Sequence, residues 1–176
     1  MDARALDLKP EYFDAAICRL ALMLVPERHK ALAAIHRSLK PGARFAAVVL
    51  SSAEKLPHIG EPLAIARRYA GLPPAPFEDP GLFALGDPAA LRAAIERAGF
   101  REVTVEVMAS TRQFSSLATT MKHIQDSIPE MKPFLEKMSD AAREEAWKEI
   151  ETAMRRFERS DGMIIPTERL VAVGTK

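Results

Sequence analysis

The sequence predicts an α/β fold in which a mostly parallel sheet is flanked by helices. Two short apolar segments, residues 13–18 (FDAAIC) and 44–50 (RFAAVVL), are separated by one amphipathic helical segment. Continuous apolar runs of this length are typical of strands buried on both faces, and a strand–helix–strand unit places its two strands in parallel. Residues 101–108 (REVTVEVM) alternate apolar and polar side chains, which predicts a further strand with one solvated face.

The helix after the first strand is expected to begin at Pro26, because the missing N–H of proline costs nothing at the first helical position. Leu32, Ile35 and Leu39 recur at a spacing that forms one apolar face. Residues 40–42 (KPG) then end the helix and lead into the second strand.

Residues 51–86 contain six of the 13 prolines and four of the eight glycines, which predicts an irregular excursion above the sheet with one helical stretch near 61–69. A further helix is expected to begin after Asp87, with that carboxylate as N-cap and Pro88 in the first turn. Gly99 occupies the place of the glycine that commonly ends a helix.

The helical period returns over residues 116–159, where two apolar stripes are interrupted by prolines. The stripes consist of Leu117, Met121, Ile124 and Ile128, and of Trp147, Ile150, Met154 and Phe157. A last strand follows near 169–174, so the predicted strands are 13–18, 44–50, 101–108 and 169–174.

Composition excludes several classes of partner. Twenty-five basic and 24 acidic residues give a net charge of +1, so no general attraction to nucleic acid or to a membrane surface is expected. The longest apolar stretch, residues 20–25, is far shorter than a membrane span, and the first residues do not resemble a signal peptide. The single cysteine, Cys18, excludes an internal disulfide and fits a cytoplasmic protein.

Chemical motifs are sparse. The chain contains neither G-x-G-x-x-G nor G-x-x-x-x-G-K-[ST], and its four histidines are scattered without metal-ligand spacing, so we predict no metal site. His58 is the one histidine that we would test as a base, although placement on the surface is its simpler interpretation. For Cys18, a buried structural thiol is the simpler interpretation.

One ordered set of residues carries a family resemblance. Asp2-Ala3 is followed by Leu6, by Phe13-Asp14 opening a strand, by Cys18-Arg19, and by P-E-R-x-x-A-L-x-x-I-x-R-x-L-K-P-G-x-R-F over residues 26–45. Residues 86–106 read G-D-P-x-x-L-R-x-x-I-E-R-A-G-F-R-E-V-x-V-E. This order resembles class I S-adenosylmethionine-dependent methyltransferases of the small-molecule type, similar to enzymes of ubiquinone and menaquinone biosynthesis.

The resemblance implies a partial Rossmann-like methyltransferase sheet in which the last strand inserts antiparallel. It places Asp2 and Ala3 beside the adenine of S-adenosylmethionine, and Cys18, Arg19 and Leu20 at the methionine end of that cofactor. Segments 52–86 and 115–160 correspond to the helical cover that selects a small-molecule methyl acceptor. The resemblance implies no catalytic residue, because methyl transfer depends mainly on proximity and alignment.

The departure from the family pattern concerns its first part. The glycine-rich loop and the acidic residue that holds the ribose would lie upstream of Met1. We therefore expect residues 1–176 to form a single, incomplete methyltransferase domain that binds S-adenosylmethionine weakly or not at all.

Alternative interpretations stay open. The chain could be a non-catalytic methyltransferase-like module, or a subunit that completes its sheet with a partner chain. The strand at 13–18 would then expose an edge through which the chain self-associates or receives a missing N-terminal half. Asp2 could equally be a frayed terminus, and Arg19 a solvated charge.

Overall fold

The computed structural model describes residues 5–73 and 80–176. Its strands are β1 (Phe13–Arg19), β2 (Leu39–Leu50), β3 (Arg101–Phe114), β4 (Glu158–Arg159) and β5 (Gly162–Thr175). Its α-helices are α1 (Arg28–Ser38), α2 (Pro57–Tyr69), α3 (Pro88–Glu96), α4 (Leu117–Ser127), α5 (Lys132–Leu135) and α6 (Asp140–Arg155), and short 3-10 turns occur at Leu22–Leu24, Ala53–Lys55 and Pro129–Met131.

The strands form one mixed sheet in the order β1–β2–β5–β3, and β4 pairs with β5. The neighbours β1 and β2 are parallel, whereas β5 runs antiparallel to β2. Gly174 and Gly162, near opposite ends of β5, approach Val103 and Phe114 near opposite ends of β3, so this pairing is antiparallel as well. The antiparallel insertion of the last strand, which the resemblance implies, is confirmed by the pairing of β5 with β2. The expectation of a mostly parallel sheet was wrong, because β5 lies between β2 and β3 and both of these pairings are antiparallel.

The chain divides into two compact units, which are described separately. Among the described residues, the first unit comprises 5–52, 80–108 and 168–176, and the second comprises 53–73 and 109–167. The first unit contains β1, α1, β2 and α3, and the second contains α2, α4, α5 and α6. Much of the two segments assigned above to substrate cover falls in the second unit, and that role stays a prediction.

The core of the first unit lies on one face of the sheet. Phe45, Ala47 and Val49 of β2 are fully buried, whereas the alternating residues Ala46 and Val48 are only half buried. The same alternation occurs in β5, where Leu170 and Ala172 are buried and Val171 and Val173 are half buried. The described residues therefore pack one face of this sheet tightly and leave the other partly exposed.

The burial expected for the first strand was wrong. Ile17 is 78% exposed and Phe13 is 38% exposed, although the strand itself forms where its apolar run predicts. Among the described residues β1 has β2 as its only neighbour in the sheet. A strand at an edge lacks the second neighbour that would bury its side chains, whatever its own sequence.

The helix expected from Pro26 begins two residues later, at Arg28. Its N-cap residue Glu27 has φ 49°, in the left-handed region. A left-handed residue interrupts the right-handed helical path, so the regular hydrogen bonds of α1 start only after it.

The capping of α3 agrees with the sequence prediction. Asp87 Oδ1 accepts a hydrogen bond from the backbone N–H of Ala90 at 2.8 Å, and Pro88 begins the helix. Gly99 has φ 99°, and its backbone N–H donates to the carbonyl of Glu96. Both ends of this helix are thus specified by neighbouring residues.

The helices of the second unit pack through α2 and α6. Ile150 and Met154 of α6 are fully buried. Glu149 pairs with Arg68 and accepts a hydrogen bond from the Tyr69 hydroxyl at 3.1 Å. His58, in the first turn of α2, is 2% exposed, so the surface placement expected for it was wrong.

Over residues 5–73 and 80–176, no helix combines the length and apolar character that crossing a membrane would require.

Candidate functional site

A sharp turn lies at the carboxyl end of β1. The strand ends at Arg19, and Leu20 follows with φ 53°, in the left-handed region. Its backbone N–H donates to the carbonyl of Val48 at 2.8 Å, which extends the β1–β2 ladder to this residue. A left-handed conformation costs a residue with a β-carbon about 1–2 kcal/mol. Backbone strain of this kind often accompanies functional sites, and in open α/β sheets ligands bind beyond the carboxyl ends of parallel strands.

Cys18 is a half-buried thiol in the same turn. Burial raises its pKa, and backbone hydrogen bonds from Leu22 and Ala21 to the thiol act in the opposite direction without cancelling the effect of burial. At neutral pH the thiol therefore stays protonated. A protonated thiol is a poor nucleophile, which agrees with a structural interpretation of Cys18.

Arg19 is exposed at the end of β1, where it stands opposite Val48 in the register with β2. A guanidinium group can bind a carboxylate through two parallel hydrogen bonds. Asp2 and Ala3 lie outside the described residues, so their proximity to this turn stays a prediction.

The structure adds a polar pair that the sequence does not reveal. The Ser51 hydroxyl donates to Glu168 Oε1 at 2.7 Å, and the backbone N–H of Ser51 donates to the carbonyl of Glu168 at 3.3 Å. Ser51 follows β2 directly and is 4% exposed, so this pair lies at the same edge of the sheet as the Cys18–Leu20 turn. Its position directly after a buried strand could have marked Ser51 in the sequence as a candidate site residue. Nothing local marks Glu168, which is 117 residues away in sequence.

A third segment, residues 80–86, packs onto this edge. The backbone N–H of Gly81 donates to the carbonyl of Met23 at 3.1 Å. A β-carbon on Gly86 would lie 2.8 Å from the carbonyl carbon and oxygen of Ser51, which is closer than any real β-carbon contact. Glycine at position 86 therefore allows the chain to approach the end of β2.

The arrangement offers binding groups rather than an acid–base catalyst. The exposed Arg19 guanidinium can hold an anion, and the Ser51–Glu168 pair can accept a hydrogen bond from a ligand. The described residues include no group of three His, Cys, Asp or Glu side chains that could hold a metal ion. The edge defined by the Cys18–Leu20 turn, Ser51 and residues 80–86 is termed the carboxyl-edge site below.

Comparison with known proteins agrees with a methyltransferase fold. Residues 1–47 match a family model described as a methyltransferase domain. This match ends within β2, so it includes the Cys18–Leu20 turn but not Ser51 or the segment at 80–86. No curated protein matches the chain in sequence.

Solved structures resemble the whole chain at low identity. A protein of Bacillus halodurans C-125 assigned as a methyltransferase has 17% identity and a TM-score of 0.58, over 100% of this chain and 75% of its own. The YcgJ protein of Bacillus subtilis has 17% identity and a TM-score of 0.53, over 99% of this chain and 68% of its own. Phosphoethanolamine N-methyltransferase 2 of Haemonchus contortus has 16% identity and a TM-score of 0.47, over 99% of this chain and 36% of its own.

The first two structures show that this chain has the fold of these proteins. The family match makes residues 1–47 similar to part of a methyltransferase domain. The prediction of a methyltransferase-type α/β fold is thereby confirmed, with the correction that the pairings in its sheet are mostly antiparallel.

Proposed function

We propose that this chain takes part in methyl transfer from S-adenosylmethionine to a small-molecule acceptor, with the cofactor at the carboxyl-edge site. The observation that carries the proposal is the strained turn at Leu20, which ends the first strand of a parallel pair. The match to a methyltransferase domain includes this turn. The resemblance noted in the sequence assigns the same turn to the methionine end of the cofactor.

The residues of the turn suit one end of S-adenosylmethionine. That end carries a carboxylate, which the exposed Arg19 guanidinium can bind. Cys18 and Leu20 contribute backbone and apolar contacts beside it. The contacts with adenine fall to Asp2 and Ala3 by resemblance, outside the described residues.

The chemistry requires orientation more than proton transfer. When bound, S-adenosylmethionine would supply a methyl group on a positively charged sulfur: a nucleophilic atom of the acceptor would bond to the methyl carbon in line, as the carbon–sulfur bond breaks and S-adenosylhomocysteine leaves with a neutral sulfur. The proposed part of the chain in this step is to position the two reactants. The Cys18 thiol, held protonated by the burial that raises its pKa, is not expected to compete as the nucleophile.

The acceptor class rests on the resemblance to the ubiquinone and menaquinone biosynthesis enzymes. Residues 52–86 and 115–160 are the proposed cover segments that select the acceptor, and we propose the cytoplasm as the compartment. The Ser51–Glu168 pair provides a candidate contact for a hydroxyl or amine group of the acceptor, because its carboxylate can accept a further hydrogen bond.

A second candidate function is a methyltransferase-like module that acts with a partner chain. The open edge of β1 and the 78% exposure of Ile17 favour it, because a strand edge of this kind is normally paired or covered. In this case the carboxyl-edge site would be completed by residues of the partner.

Photo-crosslinking tests the proposed position of the cofactor and detects weak binding. The chain is irradiated with radiolabelled S-adenosylmethionine at millimolar concentration and digested with trypsin. We expect the label in the peptides 5–19 or 20–28, which meet at the turn. Label confined to peptides from the second unit would contradict the proposed site.

Two alanine variants sharpen this experiment. Arg19→Ala is expected to reduce labelling severalfold, because it removes the group proposed to bind the cofactor carboxylate. Arg97→Ala, at an exposed position after α3, is the matched control and should leave labelling unchanged. Equal labelling in both variants would exclude Arg19 from the cofactor site.

A further inference from the structure

A buried nitrogen of an arginine lies near the carboxyl end of β2. Arg169 belongs to β5 and stands directly opposite Leu50, the last residue of β2, in the antiparallel register of the two strands. Its side chain is half buried, and its Nε atom is buried from solvent. Among the residues that the structure describes, none forms a hydrogen bond with this Nε.

The adjacent carboxylate does not satisfy the guanidinium. Successive side chains of a strand point to opposite faces of the sheet, so those of Glu168 and Arg169 face opposite ways. Glu168 instead accepts a hydrogen bond from the Ser51 hydroxyl at 2.7 Å. A buried N–H without an acceptor costs free energy, and a guanidinium cannot lose its proton to avoid that cost. An acceptor atom on a bound ligand would remove the cost.

The strand register places Arg169 on the same face of the sheet as Arg19. Arg19 is paired with Val48, and Val48 is paired with Val171. Paired residues share a face, and so do residues two positions apart along a strand, so both arginines lie on one face. Two strand spacings across the sheet and two residues along it separate their α-carbons by about 12 Å. Arg169 is the nearer of the two to the carboxyl end of β2.

We propose that Arg169 binds an anionic group, a carboxylate or a phosphate, of the methyl acceptor. This inference rests on the proposed function, in which Arg19 binds the carboxylate of the cofactor. The separation of the two arginines allows two ligands to lie side by side, the cofactor at the end of β1 and the acceptor over the end of β2. The carboxyl-edge site then selects acidic acceptors.

The buried Nε favours one geometry of binding. An arginine can offer its Nε–H together with one Nη–H as two parallel donors, which match two oxygens of a carboxylate or a phosphate. Because no described residue accepts a hydrogen bond from the Nε of Arg169, an anion gains this bond without displacing a protein group. An acceptor molecule without such oxygens leaves the donor unsatisfied, and this discriminates against it.

Anion titrations followed by NMR at the arginine Nε–H groups test the proposal on the wild-type chain without the cofactor. The probes are inorganic phosphate and acetate, and sodium chloride at equal ionic strength is the salt control. We expect the Arg169 signal to shift saturably with phosphate or acetate. Arg44, exposed at the other end of β2, is the matched control and should not show a saturable shift. The absence of a saturable shift at Arg169, or an equal one at Arg44, would overturn the proposal.

Urea unfolding in phosphate provides a second measurement. A ligand that binds only the folded chain raises its stability, whereas exclusion of phosphate from the protein surface stabilises all variants alike. Phosphate should therefore raise the urea midpoint of the wild type more than that of Arg169→Met. Arg44→Met is the matched control and should respond as the wild type does. Equal shifts in the wild type and Arg169→Met would contradict binding at Arg169.

S-adenosylmethionine distinguishes the two sources of the anion. At the concentration that labels the turn, the cofactor alone is expected to leave the NMR signal of Arg169 in place. A shift caused by S-adenosylmethionine alone would assign Arg169 to the cofactor carboxylate and overturn its assignment to the acceptor. A failed anion titration with the label still at the turn would refute this inference alone, whereas label confined to the second unit would refute the proposed function.

Discussion

His36 lies on α1 with its ring edge-on to Phe100, at 4.9 Å between the ring centroids. Burial lowers the pKa of His36, repulsion from Lys176 and Arg101 lowers it further, and a hydrogen bond with the backbone of Gly99 acts in the opposite direction. The structure therefore favours the neutral imidazole.

The lowered pKa makes the stability of the chain depend on pH. Below the ordinary histidine pKa of about 6.5, the unfolded chain binds a proton at this position more readily than the folded chain. The contribution of His36 to stability is thus fully present above about pH 6.5 and is lost as the pH falls toward the lowered pKa of the folded state.

A titration followed by NMR measures this effect directly. We expect the imidazole of His36 to titrate with a midpoint below the ordinary value, and Lys176→Met to move that midpoint upward, because it removes a nearby positive charge. Lys30→Met, on the same helix, is the matched control and should leave the midpoint in place. An unchanged midpoint in Lys176→Met would mean that Lys176 does not lower the pKa of His36.

At the scale of single elements, helix α2 contains a glycine, Gly60, although glycine has a low helix propensity. Gly60 is buried, and a β-carbon there would lie 2.3 Å from the carbonyl oxygen of Ala53. The preceding turn, Ala53–Lys55, thus packs directly against the backbone of the helix. Glycine is retained here for close approach, although it is a poor helix former.

Gly60→Ala is expected to lower the free energy of unfolding. Helix propensity alone would favour alanine by up to about 1 kcal/mol. Overpacking a tight contact typically costs about 1–3 kcal/mol, so the contact with Ala53 should outweigh propensity. Urea unfolding followed by circular dichroism measures the difference.

The matched control for Gly60→Ala is Ala64→Gly, at an exposed position of the same helix. It should destabilise by about 1 kcal/mol through propensity alone. The two substitutions are opposite in kind, yet both are expected to destabilise the chain. A Gly60→Ala variant more stable than the wild type would contradict the close contact with Ala53.

At the scale of the whole molecule, the proposed cofactor is S-adenosylmethionine, whereas the 176 residues contain no glycine-rich loop of the G-x-G-x-x-G type. In dinucleotide-binding sheets such a loop lets backbone N–H groups approach a ligand closely at a helix N-terminus. The carboxyl-edge site supplies contacts of a different kind, from the Cys18–Leu20 turn and its side chains.

We therefore predict that this chain alone binds S-adenosylmethionine weakly. Isothermal titration should give a dissociation constant well above the low micromolar range, which corresponds to about −8 kcal/mol. Titration with adenosine serves as the control for binding of the purine alone. Low-micromolar binding of S-adenosylmethionine would show that this chain holds the cofactor without a glycine-rich loop.

The sequence by itself determined the features that depend on neighbouring residues. The cap of α3 by Asp87 and the left-handed Gly99 follow from interactions within one turn of helix, so residue type and spacing predict them. The strands at β1 and β2 and the helix between them follow from apolar periodicity in the same way. The resemblance to methyltransferases also depends on such ordered segments, and the match over residues 1–47 supports it.

Only the tertiary structure decided the features that depend on residues far apart in the chain. The resemblance implied an antiparallel last strand, but only the structure showed that most pairings of the sheet are antiparallel and that β5 brings Glu168 to Ser51. The burial of His58 and the exposure of Ile17 likewise depend on which elements stand beside them, and a residue's own neighbours in sequence do not specify this. Local hydrogen bonds and apolar periodicity determine where the helices and strands form. Strand pairing and side-chain burial depend instead on which elements are neighbours in space, and the sequence pattern does not specify this.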